Sequence, residues 1–400
     1  MSQAETKALP LAGIRVVEFV HMVMGPTCGL LLADLGAEVI KVEPVPEGDN
    51  TRRLMGSGAG YWMTYNRNKK SFAVDIKSEE GMAAVKKLLA TADVVTENFR
   101  PGAMDKLGLG YEQVKAIRPD IIYSSMKGFL PGPYEQRTAL DEVVQMMTGL
   151  AYMTGPVGRP LRAGASVNDV MGGMFSAVSI LAALLQRKDS GRGQFVQTGL
   201  FENSAFLVGQ HMMQQVVTGK APAPMPSRIS AWAIYDVFDT AEDGEQVFLG
   251  VVSDSQWTAF CAAFDFPALG NDPQLARNNQ RVAARDSLLP LVRQRIGAMD
   301  KARVMALCEA AGLPFSPIQR PQDLFDDPHL NASGGMARLT LADGEAVKVP
   351  MLPFEMDGQR FGTRLDVPAL GSHSRELLEQ LGYDAAAMAR LEAAGTVKSA

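Results

Sequence analysis

The first half of the chain alternates short runs of β-branched and aromatic residues with stretches in which apolar residues recur every three or four positions. The runs predict strands and the periodic stretches predict helices. The six runs are residues 14–19, 37–43, 71–76, 93–97, 121–126 and 194–200. Strands that alternate with helices form a mostly parallel sheet covered on both faces. The pattern therefore predicts an α/β fold with a Rossmann-like sheet.

The helical stretches connect these strands. They are residues 29–35, 78–89, 111–117 and 170–186. Ser78 stands where an N-cap is expected, and the apolar stretch 170–186 reads as a buried helix. Residues 14–43 then form the first βαβ unit of the sheet.

A change of composition at residues 219–226, which contain three prolines, marks a linker. Beyond it, residues 232–240 and 246–252 flank a Glu-Asp-Gly turn and predict a β-hairpin. Helical patterns follow at 256–264, 281–299 and 302–311, and a last one at 375–381. We expect a large domain over 1–218, a linker over 219–228, a smaller α+β domain over 229–320 and a return segment over 321–400 that completes the large domain.

Composition narrows the class of protein. The 400 residues are 46% hydrophobic and 21% charged, as in an ordinary globular chain. The formal net charge is −5 and no basic run is present, so no nucleic-acid partner is expected. The longest uncharged stretch has 17 residues, fewer than the roughly 20 of a membrane span, so no membrane partner is expected. A polar start and scattered cysteines predict a cytoplasmic location.

Histidine and cysteine are scarce, with four and three residues. None of them lies at a metal-ligand spacing from another, so no metal site is predicted. The turn after the first strand, residues 21–29, lacks the three spaced glycines of a dinucleotide-binding loop, although Glu43 ends the second strand where a ribose partner would stand. A nicotinamide or flavin cofactor is therefore disfavoured.

A set of collinear motifs resembles the family III CoA-transferases, the group of formyl-CoA transferase and the carnitine CoA-transferases. The resemblance runs essentially from end to end. The motifs are Leu11–Glu18, Gly25-Pro26, Leu35–Glu43, Asn66–Ser71 with Asp75, Asp93–Phe99 with Pro101-Gly102, Lys127–Phe129 with Gly132-Pro133, Gly191–Gln194, Asp327–His329 and Leu370-Gly371.

Asp169 is the candidate nucleophile. On sequence alone, Asn168 or Asp169 would cap the helix predicted over 170–186. The resemblance implies more, because the catalytic aspartate of the family stands just before such a helix, upstream of the Gly191–Gln194 turn. An ionised carboxylate can attack an acyl-CoA thioester to give an aspartyl anhydride and then an aspartyl-CoA thioester. We expect the helix N-terminus to keep this aspartate ionised.

The resemblance also implies the ligands. Coenzyme A, as free CoA or acyl-CoA, would be a co-substrate and no cofactor would be bound permanently, while the partners would be an acyl-CoA donor and a carboxylic acid acceptor. The CoA-binding residues implied are His21, Val23, Met24, Val74, Asp75, Ile76, Lys77, Asn98, Phe99, Arg100 and Lys106. Lys77, Arg100 and Lys106 would contact phosphates, and Phe99 would form a wall for adenine.

The acyl end of the site is assigned less directly. Leu140, Asp141 and Arg228 are its candidate substrate-pocket residues, and either Arg162 or Arg228 would hold the second carboxylate of a dicarboxylic substrate such as succinate.

Four departures from formyl-CoA transferase bear on specificity. Val23 replaces a glutamine, Leu140 a tyrosine and Pro44 an arginine. The glycine-rich lid of that enzyme would fall near residues 224–230, where this chain has Met-Pro-Ser-Arg and no glycine run. These differences argue against formate or oxalate as substrate and against such a lid.

The same residues bear on two other functions and on assembly. A 2-methylacyl-CoA racemase of the same superfamily carries Gly-His-Asp where this chain has Ala139-Leu140-Asp141, so the proton-shuttling histidine is missing. A non-catalytic CoA-binding protein would need Asp169 only as a helix cap. Members of the family form interlocked homodimers, and the linkers at 218–228 and 321–335 are compatible with one.

Overall fold

The computed structural model describes residues 9–228, 230–341 and 343–400. The chain forms two compact units. The first contains the chain up to Pro226 together with His329–Ala400, and the second is Ser227–Pro328. Each unit is described by itself.

The strands of the described residues are short. In chain order they are β1 (Arg15–Phe19), β2 (Glu38–Glu43), β3 (Lys69–Val74), β4 (Val94–Glu97), β5 (Ile122–Lys127), β6 (Gln194–Gly199), β7 (Tyr235–Asp239), β8 (Gln246–Gly250), β9 (Phe315–Pro317), β10 (Met336–Thr340), β11 (Ala346–Pro350) and β12 (Val397–Lys398).

The α-helices range from single turns to 24 residues. In chain order they are α1 (Met24–Asp34), α2 (Tyr61–Tyr65), α3 (Glu79–Leu89), α4 (Ala103–Lys106), α5 (Tyr111–Ile117), α6 (Asp141–Met147), α7 (Leu150–Thr154), α8 (Val167–Ser190), α9 (Leu200–Thr218), α10 (Asp254–Ala263), α11 (Pro267–Gly270), α12 (Asn278–Ala283), α13 (Arg285–Gly297), α14 (Lys301–Ala310), α15 (Pro328–Ala332), α16 (Ser374–Gln380) and α17 (Ala385–Ala393). Short 3₁₀ turns lie at Asn50–Arg53, Gly56–Gly58, Met225–Ser227, Pro273–Leu275 and Pro321–Phe325.

A seven-stranded sheet forms the centre of the first unit, in the order β12-β3-β2-β1-β4-β5-β6. All neighbours are parallel except β12, which runs antiparallel to β3. Apolar residues on both faces of the strands explain this arrangement, because a parallel sheet is covered by helices on both sides. The α/β fold with a mostly parallel sheet is confirmed. The chain leaves β1 toward β2 on one side and returns to β4 on the other, which opens a crevice at the carboxyl ends of β1 and β4.

The sheet separates two cores. Val16 of β1 faces the side covered by α1 and α8, and Val17 faces the side covered by α3, α16 and α17. Helices α1 and α8 approach closely because α8 carries Gly172 and Gly173. A Cβ atom on Gly173 would lie 2.6 Å from the carbonyl oxygen of Met24. These glycines therefore allow the start of α8 to lie against the start of α1.

The second unit is a small α+β module. Strands β7, β8 and β9 form an antiparallel sheet, in which β7 and β8 are the hairpin that the sequence predicts. Its core packs aromatic residues of the hairpin and α10, among them Phe238, Trp257 and Phe260. The helix predicted at 281–299 is in fact two helices, α12 and α13, which are separated at Ala284.

Several elements differ from the sequence prediction. Helix α8 begins at Val167, so that Asp169 lies inside its first turn and does not precede it. Helix α1 begins at Met24, five residues early, because Pro26 is tolerated in a first turn. The hairpin of β10 and β11, helix α17 and edge strand β12 were not predicted, since their apolar runs are too short to stand out from the polar tail.

Candidate functional site

The turn between β1 and α1 is held by side chains that are distant in sequence. Asn98 accepts the His21 N–H through Oδ1 at 3.0 Å and donates to the His21 carbonyl through Nδ2 at 2.9 Å. Met22 has φ of 63°, a conformation that is costly for a residue other than glycine. Its N–H donates to Thr51 Oγ1 at 3.0 Å. These contacts compensate for the unfavourable backbone and fix the turn.

Charged residues buried below this turn support it. Asp49 accepts the N–H of Thr51 at 2.8 Å and its hydroxyl at 2.7 Å, and it pairs with Lys41 Nζ at 2.9 Å. Although burial opposes it, the Lys41 charge and the Thr51 hydrogen bonds hold the pKa of Asp49 below its usual range. Lys69 pairs with Glu18 at 2.9 Å. Buried ion pairs thus link β1 to β3 and β2 to the segment after it. Removing one partner of such a pair would leave an uncompensated buried charge, which is costly.

Asp169 lies on the face of α8 that carries the two glycines and packs against the start of α1. Residues 169, 172 and 173 are spaced so that they share one side of a helix, and Gly172 and Gly173 contact Met24 and Thr27 of α1. Asp169 is half-buried: protein surrounds its carboxylate, while part of it stays accessible. A carboxylate that reacts with a bound molecule needs such an environment.

Asp141, the first residue of α6, binds the start of α8. Its Oδ2 atom accepts the N–H of Asn168 at 2.7 Å and the N–H of Asp169 at 3.2 Å. Ser166 stands at the N-cap position but its side chain accepts no capping hydrogen bond. Neither Asn168 nor Asp169 is the cap, which corrects the interpretation from sequence alone.

The protonation of Asp169 also differs from the expectation. Burial, followed by the negative charge of Asp141, raises the pKa of Asp169 to about 7, and Arg162 opposes the shift. The helix N-terminus does not keep this aspartate fully ionised at neutral pH, contrary to the expectation, because burial and the charge of Asp141 outweigh its effect. Near pH 7, Asp169 is a carboxyl group poised between its two forms.

The segment before α8 is held by α6 as well. Gln145 donates to Asp141 and accepts the N–H of Ala163 at 2.8 Å. Arg162 forms an ion pair with Glu142. Burial raises the pKa of Tyr65 of α2, and the charges of Tyr61 and then of Asp169 contribute to the rise. Asp141 and Arg162 thus act on Asp169, and Tyr65 feels its charge.

Five predicted CoA-binding residues come together at the crevice between β1 and β4. His21, Val23 and Met24 follow β1, while Asn98 and Phe99 follow β4. The rings of His21 and Phe99 lie 5.4 Å apart, tilted by 55°. Burial lowers the pKa of His21, so its ring is neutral at pH 7. Both polar atoms of the Asn98 amide form hydrogen bonds with the backbone of His21, so Asn98 positions the turn.

The other predicted CoA-binding residues are spread more widely. Arg100 and Lys106 are exposed beyond the end of β4. The segment Val74, Asp75, Ile76 and Lys77 ends β3, which β2 separates from β1. Val74 is a buried core residue, whereas Lys77 is exposed. The Asp75 N–H donates to Thr396 at 2.8 Å, so the backbone here is partly occupied by the C-terminal segment.

The candidate residues for the acyl end differ in setting. Leu140 is 62% exposed and Asp141 is buried, although they are adjacent. Both carboxylate oxygens of Asp141 accept hydrogen bonds from α8 and Gln145. The structure therefore does not support a direct contact between this carboxylate and the substrate. Arg228 belongs to the second unit and is half-buried there.

Sequence reasoning missed three residues that shape the site. Thr51, Gln145 and Gly173 act through contacts with residues that are 18 to 149 positions away. The Gly172-Gly173 pair within an apolar helix was a usable signal, since adjacent glycines in a helix are costly unless something packs closely against them. Thr51 and Gln145 have no comparable signal.

Two further features concern ligands and environment. In residues 9–228, 230–341 and 343–400, no group of three or more His, Cys, Asp or Glu side chains could hold a metal ion.

Helix α8 is long and apolar enough to cross a membrane by length and composition, with a mean hydropathy of 1.5, and 44% of the apolar window is buried inside the protein. A helix that packs against α1 in this way is typical of a protein core.

Comparisons with known proteins agree with these features. Residues 11–374 match the profile of CoA-transferase family III. A succinate–glutarate CoA-transferase of Agrobacterium fabrum is 33% identical over 394 residues, 95% of this chain and 98% of that protein. A succinyl-CoA:glutarate CoA-transferase of Mus musculus is 32% identical over 97% of this chain and 90% of that protein. The crystal structure of a CAIB/BAIF family protein from Brucella suis has a TM-score of 0.83 at 33% identity, covering 94% of this chain and 100% of that one.

Proposed function

Because this chain belongs to CoA-transferase family III, we propose that it moves CoA from an acyl-CoA thioester to a free carboxylic acid through covalent intermediates on Asp169. The observation that carries the proposal is the position of Asp169, half-buried on the face of α8 whose two glycines pack against the start of α1. CoA and its thioesters are co-substrates of this reaction.

The reaction needs one ionised carboxylate. An Asp169 oxygen attacks the thioester carbon, the C–S bond breaks, and a mixed anhydride forms with release of the CoA thiolate. The thiolate attacks the aspartyl carbonyl carbon, the C–O bond breaks, and the donor acid leaves. The product is an aspartyl-CoA thioester.

The second half repeats these steps with the acceptor. Its carboxylate attacks the aspartyl carbonyl carbon and expels the CoA thiolate, which gives an anhydride between Asp169 and the acceptor. The thiolate attacks the acceptor's acyl carbon and regenerates the Asp169 carboxylate. The reaction consumes no proton, so it does not need a histidine as a general acid or base. This agrees with the absence of a histidine beside Asp141 in the sequence. Water must be excluded, because it would hydrolyse either intermediate.

The pantetheine arm must pass the crevice between β1 and β4 to deliver its sulfur to Asp169. We propose that His21, Val23 and Met24 line its path and that Phe99 packs on the adenine. Arg100, Lys106 and Lys77 are exposed cations at the strand ends and suit the phosphates. An open α/β sheet binds its ligands at this edge.

The substrates are proposed to be dicarboxylic acids and their CoA thioesters. The two similar transferases are named for succinate or succinyl-CoA and glutarate. Arg162 supports the proposal, because its charge acts on Asp169 while its guanidinium is held by Glu142 at an exposed ion pair. A substrate carboxylate can replace Glu142 at this guanidinium with equivalent charge-assisted hydrogen bonds.

We further propose a homodimer in which α8 and α9 lie at the interface. The apolar residues exposed on these two helices are Met174, Phe175, Val178, Leu185, Phe206, Leu207, Met212, Met213, Val216 and Val217. Phe175 of α8 and Phe206 of α9 contact each other, with ring centroids 5.6 Å apart, and exposed apolar surface that extends over two helices is uncommon on a monomer. The interlocked arrangement implied by the family resemblance would cover this surface with a second copy.

A cytoplasmic location is proposed as well, since Cys28, Cys261 and Cys308 are free and buried thiols.

The racemase function is not favoured. It requires a proton-shuttling base, and residues 139–141 read Ala-Leu-Asp without a histidine. The similar proteins are named as transferases.

Trapping the intermediates tests the function. The protein is incubated with succinyl-CoA without an acceptor and quenched with hydroxylamine, and the peptide that contains Asp169 is analysed by mass spectrometry. An aspartyl hydroxamate at Asp169 is expected. Asp169→Ala should abolish CoA exchange and retain CoA binding, whereas the matched change Asp189→Ala at the exposed far end of α8 should leave exchange intact. Undiminished exchange by Asp169→Ala would contradict the proposal.

A further inference from the structure

The start of α8 is capped from a distant part of the chain. A helix leaves its first backbone N–H groups without partners, and a Ser, Thr, Asp or Asn at the N-cap usually supplies one. Ser166 is in place but does not do so. The N–H groups of Asn168 and Asp169 instead donate to Asp141, 27 and 28 residues earlier. The helix cap is therefore a tertiary contact between α6 and α8.

Asp141 is itself held on its other side. Its Oδ1 atom accepts from Gln145 Nε2, and Gln145 Oε1 accepts the N–H of Ala163 at 2.8 Å. Asp141, Gln145 and Asn168 are all buried. A carboxylate can accept on both oxygens at once, which an asparagine side chain cannot do. Helix α6 thus holds the segment 163–169 at both ends, and with glutamine at position 145 the arrangement requires an acid at position 141.

The choice of an acid has a cost that a neutral cap would avoid. A serine or asparagine can cap a helix without adding charge. Asp141 instead brings a second negative charge beside Asp169, and like charges in a partly desolvated site repel each other. Capping the helix does not by itself require this charge. The charge makes chemical sense if Asp169 must be basic and correctly oriented.

We propose that Asp141 is a positioning residue for Asp169: its carboxylate fixes the first turn of α8 and its charge strengthens the Asp169 carboxylate as a nucleophile. The inference rests on the proposed function of Asp169. It also means that the N–H groups of Asn168 and Asp169 serve the cap and do not stabilise the oxyanions of the reaction. Asp141 from α6 and Arg162 from the preceding segment act on the charge of Asp169, and Tyr65 from α2 in turn feels that charge.

The test compares the parent with Asp141→Asn, the double variant Asp141→Asn/Gln145→Glu, and the control Asp384→Asn. In the double variant the new amide can accept from α8 and donate to the new carboxylate at 145, which still accepts the N–H of Ala163. Asp384 caps α17 by accepting the N–H of Ala387 at 2.7 Å. The control therefore makes the same chemical change at a helix start remote in sequence from Asp169. kcat and KM for succinyl-CoA, the dissociation constant of free CoA, and the pH profile of kcat are measured for each.

Asp141→Asn should lower kcat about 10- to 100-fold, the loss typical of a misplaced catalytic group, with CoA binding changed by no more than about threefold. The acid limb of its pH profile should move to lower pH by about half a unit or more, because a like charge near Asp169 is gone. The double variant should recover part of kcat. Asp384→Asn should match the parent in kcat and in the pH profile of kcat.

A kcat and pH profile in Asp141→Asn that match Asp384→Asn would overturn the positioning role. So would a fall in kcat accompanied by an unchanged pH profile and no recovery in the double variant, the result expected of a purely structural residue. Asp169→Ala separates this inference from the proposed function. If Asp169→Ala still exchanges CoA, the proposed function fails; if only Asp141 is dispensable, the inference alone fails.

Discussion

Asn98 and His21 are joined by two hydrogen bonds across 77 residues of sequence, with the amide of Asn98 pairing to both the N–H and the carbonyl of His21. The Asn98 amide accepts and donates hydrogen bonds as the backbone of a neighbouring strand would. It thereby links the end of β4 to the turn after β1. This turn lies where the crevice of the sheet opens. Its shape therefore depends on a side chain that does not need to touch the ligand.

Replacing Asn98 by alanine should loosen that turn. We expect Asn98→Ala to raise KM for acyl-CoA about tenfold and to lower the free energy of unfolding by about 1–2 kcal/mol, since two hydrogen bonds are lost. Steady-state kinetics and urea unfolding measure the two effects. Asn271→Ala, at an exposed position in the second unit, is the control and should change neither. An unaltered KM in Asn98→Ala would refute the role assigned to this pair.

The close packing of α8 on α1 leads to a second prediction. A methyl group on Gly173 would lie 2.6 Å from the Met24 carbonyl oxygen and 2.7 Å from Thr27 Cβ. Gly173→Ala should displace the start of α8, lower stability by about 1–3 kcal/mol as overpacking does, and reduce kcat severely. Gly297→Ala is the matched control, because only one atom lies within 4 Å of its Cβ position, at 3.8 Å. Full activity in Gly173→Ala would show that the contact does not place Asp169.

The raised pKa of Asp169 predicts how its removal affects stability. A carboxyl whose folded pKa is about 7 and whose unfolded pKa is near 3.8 contributes stability that is fully present below the lower value and is lost as pH rises through the higher one. Asp169→Asn should therefore be more stable than the parent at pH 8, by about 2–4 kcal/mol at roughly 1.4 kcal/mol per pKa unit.

Urea unfolding between pH 5 and pH 8.5 measures this difference. The advantage of Asp169→Asn should shrink steadily toward pH 5, where the parent carboxyl is protonated. Asp384→Asn should change stability little at either pH, since asparagine caps a helix about as well as aspartate does. A difference that is constant across pH would mean that the pKa of Asp169 is not raised.

Arg162 should discriminate dicarboxylic from monocarboxylic substrates. Arg162→Ala should raise KM for succinate at least about tenfold and leave KM for butyrate within about threefold, because a charge-assisted hydrogen bond contributes about 1.5–3 kcal/mol. Arg162 also lowers the pKa of Asp169, so the assay is run near pH 8.5, where Asp169 is ionised in both proteins. Arg159→Ala, an exposed arginine of the same segment, is the control. Equal losses for both acids would remove Arg162 from substrate recognition.

The strands and the parallel sheet could be predicted from the chain because each depends on local information. Val16, Val17 and Phe19 belong to a run that is apolar on both faces, and such a run forms a buried strand in most contexts. Asp169 was found differently, because residue type and position by themselves indicate only a helix cap there. It became the candidate nucleophile through the resemblance to the family, in which the catalytic aspartate stands just before such a helix and upstream of the Gly191–Gln194 turn.

The start of α8 and the state of Asp169 could not be predicted, because both depend on Asp141. Three residues of α8 precede the stretch that the apolar pattern identified, and a carboxylate 28 positions away binds the N–H of Asp169. The same carboxylate and burial raise the pKa of Asp169, where the helix terminus alone would lower it. No local pattern contains these contacts.

The sequence by itself therefore determined the strand and helix pattern and the mostly parallel sheet, since hydrophobic periodicity acts over short distances, and its resemblance to a family supplied the candidate nucleophile. Only the tertiary structure decided which groups hold the β1–α1 turn, how closely α8 approaches α1, and how basic Asp169 is. Those properties arise from hydrogen bonds, steric contact and charge between residues that folding alone brings together.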